Sequence, residues 1–424
     1  MRMEVEKSNL LGAVSIPPSK SHTIRAVAMA SLADGTSEIL SPLDSEDTKA
    51  AVRFYRALGA KIHVEPSRWI VEGAGEWLVA PENVIDVGNS GTTCRIGMGS
   101  AAMCRGYSVI TGDEQTRRRP MESLLNALND LGAEAFSTRG DGHLPVVIGG
   151  RLKGGEASVE GITSQFLTSL LINCPLAPDD TIVHVSGLRE RPYVDMTLRW
   201  LEKQEVMPQN DDYERFTIPG GRAYLPFTDV VPADFSSATF FLCAAAITNS
   251  RVMLHGLDME DPQGDKEVVN YLAEMGADVE VTPGGVRVRG ADLRGIELDL
   301  EDTPDALPAL AVVGCFAWGE TILRNVPQAR IKETDRISLM AKNLRLMGAQ
   351  IEELPDGLFI RPSVLRGATV DGAGDHRVVM ALAVAGLRAQ GTTCITGAEA
   401  INVTFPTFPD LMNELGARVR LVPG

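Results

Sequence analysis

The chain has 424 residues, with 40 Lys and Arg against 56 Asp and Glu, and a net charge of −16 at pH 7. Its 44% hydrophobic and 23% charged content is ordinary for a globular protein of two or three domains. The acidic balance argues against nucleic acid and anionic membranes as partners, because both require a basic face. The longest apolar runs are also shorter than the ~18–20 residues that span a bilayer.

Six helices that are apolar on almost every side are predicted at a period of about 72 residues. Each begins at a polar residue and continues into an apolar run such as "FFLCAAA". A helix that is apolar all round is buried, so we expect these helices in the core. In chain order, they begin at Ser21, Thr92, Ser164, Ser236, Asp305 and His376.

A second, amphipathic helix recurs with the same period and ends in Gly-Ala before a short strand. A glycine just beyond a helix end is typical of the left-handed C-terminal cap. The interval from the second to the third of these glycines is twice the others, so a copy that lacks Gly-Ala is predicted at residues 196–209. The glycines are Gly59, Gly132, Gly276, Gly348 and Gly416.

Short alternating strands lie between and after the helices, so each repeat reads β-α-β-α-β-β. Six such α+β repeats indicate two domains of three repeats each. The sixth repeat stops after one terminal strand, and we expect the N-terminal strand segment to complete its domain. The prediction is an N-terminal domain at 16–228 and a C-terminal domain of 1–15 plus 229–424, with hinge segments at about 16–19 and 224–231.

Cations concentrate at one end of the predicted repeats. Helix N-termini carry unsatisfied N–H groups and partial positive charge, so they bind anions. If the repeats share one geometry, three buried helices in each domain present their N-termini to a common cleft. We therefore expect a multiply anionic ligand in an interdomain cleft. The cations lie at Lys20, Arg25, 117–119, Arg189, Arg191, Arg330, Lys332, Arg336 and Arg377.

The six cysteines and six histidines show no spacing typical of a metal site or a disulfide framework. Small buried thiols are typical of a reducing compartment. The first residues, "MRMEVEKSNL", lack the apolar core of a signal peptide. We therefore expect a cytoplasmic monomer that uses no metal and no cofactor.

Eight motifs in chain order resemble the 5-enolpyruvylshikimate-3-phosphate (EPSP) synthase family over essentially the whole chain. They are "PPSKSHTIRA", "GNSGTTCR", "GDEQTRRRPM", "ITSQF", "RPYVDMTL", "DTPDALPALA", "IKETDR" and "DHRVVM". The resemblance implies a two-domain, β-prism-like inside-out α/β barrel with three repeats in each domain. It also implies a transferase of the shikimate pathway, which leads to chorismate and the aromatic amino acids. Such an enzyme moves the enolpyruvyl group of phosphoenolpyruvate to the 5-hydroxyl of shikimate 3-phosphate and releases phosphate.

The resemblance also implies roles for individual residues. Asp305 would accept the proton of the 5-hydroxyl, Glu333 would protonate the methylene carbon of phosphoenolpyruvate, and Lys20 would assist between the substrates. Phosphoenolpyruvate would be bound by Lys20, Gly91, Arg119, Gln165, Arg336 and Arg377. Shikimate 3-phosphate, on the side of the N-terminal domain, would be bound by Lys20, Ser21, Arg25, Thr163, Ser164, Gln165, Tyr193, Asp305, Gln328 and Lys332.

Three positions depart from the family pattern. The family's serine that binds the substrate phosphate either corresponds to Glu190 or is displaced in this chain, and a glutamate there would repel phosphate unless it points away. Val403 replaces a lysine that contacts phosphoenolpyruvate, and Gln328 replaces an asparagine. These departures concern affinity more than reaction type.

Three alternative functions are considered at this point. The sister enzyme transfers enolpyruvyl to UDP-N-acetylglucosamine, but its reactive cysteine is missing from the loop "TGDEQTRRRP". A non-catalytic anion-binding homologue would be expected to lose Lys20, Asp305, Glu333 or Arg336, and all four are present. The related RNA 3′-terminal phosphate cyclases would need a basic RNA-binding face, which the net charge opposes.

Overall fold

The computed structural model describes residues 1–423, and the chain divides into two compact units. The N-unit is Pro18–Pro232, and the C-unit combines Met1–Pro17 with Ala233–Gly424. Each unit has its own hydrophobic core. The chain begins in the C-unit with two strands, β1 (Arg2–Glu6) and β2 (Leu11–Ser15).

The N-unit contains seven helices among its described residues: α1 (Lys20–Leu32), α2 (Glu46–Ala57), α3 (Gly91–Ala101), α4 (Glu114–Arg117), α5 (Glu122–Asp130), α6 (Ser164–Asn173) and α7 (Arg191–Glu202). Its strands are β3 (Thr36–Leu40), β4 (Lys61–Glu65), β5 (Arg68–Glu72), β6 (Ile85–Asp86), β7 (Ser108–Thr111), β8 (Ala133–Ser137), β9 (Val146–Gly150), β10 (Gly155–Glu160), β11 (Thr181–Ser186), β12 (Gln209–Asp211), β13 (Arg215–Ile218) and β14 (Thr228–Val230).

The C-unit continues with six helices in the part of the chain up to residue 423: α8 (Phe235–Ile247), α9 (Glu267–Glu274), α10 (Leu307–Phe316), α11 (Arg336–Leu346), α12 (His376–Gly386) and α13 (Phe408–Glu414). Its further strands are β15 (Arg251–His255), β16 (Asp278–Thr282), β17 (Gly285–Arg289), β18 (Glu297–Asp299), β19 (Thr321–Arg324), β20 (Gln350–Leu354), β21 (Gly357–Arg361), β22 (Thr369–Asp371), β23 (Thr393–Thr396) and β24 (Arg418–Val422).

Six four-stranded sheets, three in each unit, form from residues 1–423 with one common topology. Each sheet has one parallel pair at an edge and antiparallel pairing elsewhere. The predicted α/β fold of six repeats is therefore confirmed. The strand orders are β14-β3-β5-β4, β6-β7-β9-β8 and β10-β11-β13-β12 in the N-unit, and β2-β15-β17-β16, β18-β19-β21-β20 and β22-β23-β1-β24 in the C-unit.

The predicted buried helices form the interior of each unit. Every residue of α3, α8 and α12 is buried, as the apolar runs indicated. Two glycines allow close packing in the N-unit: a Cβ at Gly97 would lie 2.3 Å from the Phe54 ring, and one at Gly99 would lie 2.5 Å from Asn173 Nδ2. Each unit therefore combines three four-stranded sheets with buried helices in its core.

Several strands pair with strands that are distant in the sequence. Strand β1 pairs with β23 and β24, while β2 pairs in parallel with β15. Strand β14 pairs in parallel with β3, although the sequence placed it in a linking segment. Because this pairing completes the first sheet, the chain leaves the N-unit after Pro232 rather than at residue 228.

At two positions, the ends of helices differ from the predicted repeat. Asp305 lies in a 3-10 turn, Pro304–Ala306, and the buried helix begins two residues later at Leu307. After α7, Glu205 takes the left-handed conformation (φ 56°) that glycines supply in the other copies of the amphipathic helix. The copy without Gly-Ala, predicted at residues 196–209, is therefore present as α7. Over residues 1–423, no helix combines the length and hydropathy needed to cross a membrane.

Candidate active site

Lys20 is the first residue of α1 and is held by a carboxylate from the neighbouring helix. Its Nζ lies 3.2 Å from Oδ2 of Asp47 in α2. Ser19 caps α1 by accepting a hydrogen bond from the His22 N–H, which fixes the helix start beneath the lysine. The ammonium is therefore positioned before any ligand binds.

Arg25 is a buried cation, with only 1% of its surface exposed. Its Nε donates to Thr197 Oγ1 (2.9 Å) and its Nη2 donates to the Tyr193 carbonyl (2.9 Å), both in α7. Burial lowers its pKa to about 10, against an opposing effect of Tyr193, so the group stays charged at neutral pH. No carboxylate of residues 1–423 forms an ion pair with it, and a buried unpaired charge favours a bound anion.

The starts of α3 and α6 are joined by Gln165. Its Oε1 accepts a hydrogen bond from Arg95 Nη1 (2.7 Å), and its Nε2 donates to Thr92 Oγ1 (3.2 Å). Thr163 caps α6 by accepting from the Gln165 N–H at 3.4 Å. Ser164 follows as the first helical residue and is buried. These contacts place hydroxyl and N–H donors together at the positive ends of two helix dipoles.

Gly91, the first residue of α3, lies directly against Arg119. A Cβ at this position would come within 2.4 Å of Arg119 Nη1. The Arg119 side chain is buried, and it follows the short helix α4. Glycine therefore lets a guanidinium lie on the backbone at the start of a buried helix, where both can face an anion.

Arg336 organises the charged residues of the C-unit and is 1% exposed. Its guanidinium contacts Asp305 at 2.7 Å, Glu333 at 2.5 Å and Asp375 at 2.8 Å. Arg377 contacts the other oxygen of Asp305 at 3.0 Å. We call these five residues the Arg336 cluster. The cluster contains four of the predicted site residues, namely Asp305, Glu333, Arg336 and Arg377.

The charges around Asp305 control its protonation. Burial alone would raise the pKa of this carboxyl, but Arg377, Lys332 and Arg336 outweigh burial and the neighbouring Glu333. Its pKa is therefore held well below the ordinary value, and Asp305 is ionised in the ligand-free protein. The side chain is 14% exposed, so a ligand can reach it.

Two remaining predicted positions have different environments. Gln328 lies in the 3-10 turn Pro327–Ile331, where its Nε2 donates to the Glu301 carbonyl at 2.8 Å. Its buried Oε1 has no hydrogen-bond partner among residues 1–423, which leaves one acceptor for a ligand. Val403 ends the 3-10 turn Ala398–Val403 and is partly exposed. It supplies an apolar side chain where the family pattern has a cation.

Four carboxylate or imidazole groups near these residues were not predicted to belong to the site. Asp47 pairs with Lys20, and Asp375 both caps α12 and pairs with Arg336. Burial, with Asp305 nearby, raises the pKa of Asp265 to about 7 despite Arg377 and a hydrogen bond from Ser236. The aspartate before a buried helix was a signal for Asp375, since aspartate is a preferred N-cap. Nothing in the sequence distinguished Asp47 or Asp265 from surface carboxylates.

His376 is the fourth missed group. It is buried at the start of α12, and neither ring nitrogen has a hydrogen-bond partner within the described chain. Burial lowers its pKa to about 3, although Glu333 and Asp375 act in the opposite direction. His376 is therefore neutral at physiological pH and adds no charge to the Arg336 cluster.

Glu190 turns its carboxylate toward the start of α6. Its Oε2 accepts hydrogen bonds from the Ser164 N–H (3.3 Å) and from Ser164 Oγ (3.0 Å). The residue precedes α7 in a left-handed conformation (φ 61°) and is 1% exposed. A glutamate at this position was expected to point away from the predicted phosphate-binding residues. Instead, its carboxylate contacts one of them, Ser164.

Acid–base and anion-binding groups dominate the Arg336 cluster and the starts of α1, α3 and α6. No set of three or more His, Cys, Asp or Glu residues in the described chain is arranged to hold a metal ion. Lysine and arginine forks suit carboxylate and phosphate oxygens, and paired carboxyl groups suit proton transfer.

Comparison with known proteins gives one consistent family. A family model described as EPSP synthase (3-phosphoshikimate 1-carboxyvinyltransferase) matches residues 5–412. The 3-phosphoshikimate 1-carboxyvinyltransferase of Acetivibrio thermocellus is 56% identical over 419 residues, 99% of each chain. That of Ruminiclostridium cellulolyticum is 50% identical over 422 residues, 100% of each. The EPSP synthase structure from Acinetobacter baumannii superposes with a TM-score of 0.83 at 29% identity, over 99% of this chain and 100% of that one.

Proposed function

The chain belongs to the EPSP synthase family of 3-phosphoshikimate 1-carboxyvinyltransferases, and we propose that the helix starts and the Arg336 cluster described above hold its substrates. The reaction transfers the enolpyruvyl group of phosphoenolpyruvate to the 5-hydroxyl of shikimate 3-phosphate and releases phosphate. The observation that carries the assignment is the Arg336 cluster, in which one guanidinium gathers the two carboxyl groups suited to proton transfer.

Shikimate 3-phosphate is assigned to the starts of α1 and α6. The hydroxyls of Thr163 and Ser164 suit the phosphate, because they lie at the positive end of the α6 dipole. Arg25 supplies a buried charge that lacks a carboxylate among residues 1–423. The other residues assigned to this substrate are Lys20, Ser21, Gln165, Tyr193, Asp305, Gln328 and Lys332.

Phosphoenolpyruvate is assigned to cations of both units. Its carboxylate and phosphate match Arg336 and Arg377 on one side and Arg119 beside Gly91 on the other. We assign Lys20, the first residue of α1, to both substrates. Gln165 completes the set through its link between α3 and α6.

The chemistry is an addition followed by an elimination. The 5-hydroxyl oxygen bonds to the central carbon of phosphoenolpyruvate while Asp305 accepts its proton and Glu333 gives a proton to the methylene carbon. The tetrahedral adduct then loses a proton from the new methyl group to the Glu333 carboxylate. The bond from the central carbon to the phosphate oxygen breaks, and the departing phosphate takes the proton that Asp305 accepted. Positioned acid–base groups of this kind accelerate such steps by about 10²–10⁴-fold.

Substrate binding itself makes Asp305 a better base. In the ligand-free protein, Arg377, Lys332 and Arg336 depress its pKa and weaken it as a proton acceptor. Substrate carboxylate and phosphate groups neutralise those cations, so the pKa rises toward a useful value only when ligand is present. Burial acts in the same direction once the cations are compensated.

The residues assigned to the substrates are divided between the N-unit and the C-unit. We also infer a cytoplasmic monomer. Six free cysteines, five of them buried, support a reducing compartment.

Calorimetry and phosphate release test the assignment together. We expect shikimate 3-phosphate to bind, and phosphate to be released when phosphoenolpyruvate is added. UDP-N-acetylglucosamine in place of shikimate 3-phosphate should yield no phosphate. Binding without release would support the non-catalytic homologue instead.

Arg25→Ala should weaken shikimate 3-phosphate far more than phosphoenolpyruvate. Loss of a charged hydrogen-bonding group is expected to raise the Kd of shikimate 3-phosphate by about 10- to 100-fold. Titration of each substrate measures the two effects, and Arg68→Ala, which changes a partly exposed side chain of β5, is the control. Equal weakening of both substrates would refute the assignment of Arg25.

Gly91→Ala should weaken phosphoenolpyruvate while leaving stability nearly unchanged. The new Cβ must displace the flexible end of Arg119, which lies 2.4 Å away, rather than any backbone atom. We expect the KM for phosphoenolpyruvate to rise about tenfold, with little effect on shikimate 3-phosphate. Gly284→Ala is the control, because its Cβ would meet only ordinary contacts of 3.5 Å or more. An unchanged KM would separate Arg119 from this substrate.

A further inference from the structure

Glu190 presents an acidic group where the proposed function needs donors for a phosphate. Its Oε2 accepts both the N–H and the hydroxyl of Ser164, at 3.3 Å and 3.0 Å. These are the donors at the start of α6 that we assign to shikimate 3-phosphate. A carboxylate therefore occupies, in the ligand-free protein, the donors that the substrate phosphate requires.

The conformation of Glu190 shows that the fold holds the carboxylate there. The residue has φ 61° and ψ 43°, a left-handed conformation that disfavours residues with a Cβ. It is also 1% exposed, although glutamate is rarely buried unless it is paired. The hydrogen bonds to Ser164 and the positive end of the α6 dipole offset both unfavourable features.

A phosphate and an ionised carboxylate cannot share the same donors. Each Ser164 donor serves one strong acceptor, and like charges a few Å apart in a buried site repel strongly. Substrate binding must therefore either displace Glu190 or avoid Ser164. Arg189 and Arg191 flank Glu190 in the chain.

We propose that Glu190 is an internal competitor of the substrate phosphate: it occupies the Ser164 donors in the free protein and leaves them when shikimate 3-phosphate binds. This inference rests on the proposed function. Glu190 then lowers the affinity for the phosphorylated substrate and keeps the start of α6 ordered in its absence. It is a residue that determines specificity, because it acts only on ligands that carry the phosphate.

Two substitutions and two ligands test the competition. Glu190→Gln keeps the shape and removes the charge, and Glu190→Ser removes the competing group. We expect both variants to bind shikimate 3-phosphate about tenfold more tightly than the wild type in calorimetry. Shikimate lacks the phosphate, so its Kd should change by less than about threefold.

Several results would overturn the proposal. They are unchanged or weaker binding of shikimate 3-phosphate by both variants, or equal tightening for both ligands. A crystal structure of the wild type with shikimate 3-phosphate tests the same point without any substitution. We expect Glu190 Oε2 to lie beyond hydrogen-bond distance of Ser164 there, and retention of the 3.0 Å contact would contradict displacement.

Failure of this inference can be distinguished from failure of the proposed function. If the wild type releases no phosphate from phosphoenolpyruvate with shikimate 3-phosphate, the function is wrong and the inference fails with it. If release occurs and the Glu190 variants do not bind shikimate 3-phosphate more tightly, only the inference is wrong.

Discussion

Asp305→Asn should reduce turnover by about 10²–10⁴-fold while shikimate 3-phosphate still binds. Asparagine keeps the size of the side chain and one acceptor oxygen for Arg336 or Arg377, but it cannot take the proton of the 5-hydroxyl. Arg336 also keeps Glu333 and Asp375 as partners, so the cluster should persist. Phosphate release gives the turnover number, and calorimetry gives the Kd.

Asp278→Asn is the matched control for Asp305→Asn. Asp278 is an exposed carboxylate of the same unit that pairs with Arg289, and its substitution should leave turnover unchanged. Normal turnover by Asp305→Asn would remove Asp305 from the role of base. Loss of shikimate 3-phosphate binding in parallel with turnover would instead assign Asp305 to binding alone.

Arg336→Gln should destabilise the protein by about 3–5 kcal/mol, the penalty for breaking a buried ion-pair network. The substitution removes the guanidinium that Glu333 and the fully buried Asp375 contact, and it removes one of the cations around Asp305. Urea unfolding measures the loss in the free energy of unfolding. Arg361→Gln, which breaks exposed ion pairs in β21, should cost less than about 1 kcal/mol.

The pH dependence of this destabilisation follows from the Asp305 pKa. Folding lowers that pKa, so the ion pairs stabilise the protein above the unfolded-state value of about 3.9 and lose their effect as pH falls. The difference between wild type and Arg336→Gln should therefore shrink at acidic pH. A difference that stays constant from neutral to acidic pH would show that lost packing, not charge, causes it.

The six repeats could be predicted from the sequence because helix burial and helix termination each produce a distinct local pattern of residues. Helices such as α8, apolar on all sides, must be buried, and Gly-Ala marks a left-handed helix end. The pairing of β14 with β3 was not readable, because an edge strand of three residues has little pattern of its own. Its position depends on the first sheet lacking one parallel strand.

The active-site residues were predicted less completely than the fold. Cations at predicted helix starts and in loops stood out against an acidic chain, so Arg336 and Arg377 were assigned to the site, whereas Asp375, the ion-pair partner of Arg336, resembled one of many acidic residues. The direction of the Glu190 side chain depends on a left-handed backbone that the sequence does not reveal, since glutamate rarely adopts it.

We propose that the helix starts, together with Arg25 and Arg119, allow an acidic protein to use two anionic substrates. Its net charge of −16 gives no general attraction for them. Buried guanidinium groups and helix dipoles instead provide local positive potential that bulk solvent screens only weakly. In the Arg336 cluster, three carboxyl groups offset the two guanidinium groups, and Arg377, Lys332 and Arg336 keep Asp305 ionised in the free protein.

The most direct test of the proposed chemistry is the reaction in deuterium oxide, followed by proton NMR of the product. Addition and elimination with Glu333 as the proton donor place a solvent deuteron on the methylene carbon of phosphoenolpyruvate, and its loss competes with loss of hydrogen. We therefore expect deuterium in the vinyl group of the product as phosphate accumulates. Phosphate release with a fully protonated vinyl group would contradict the account.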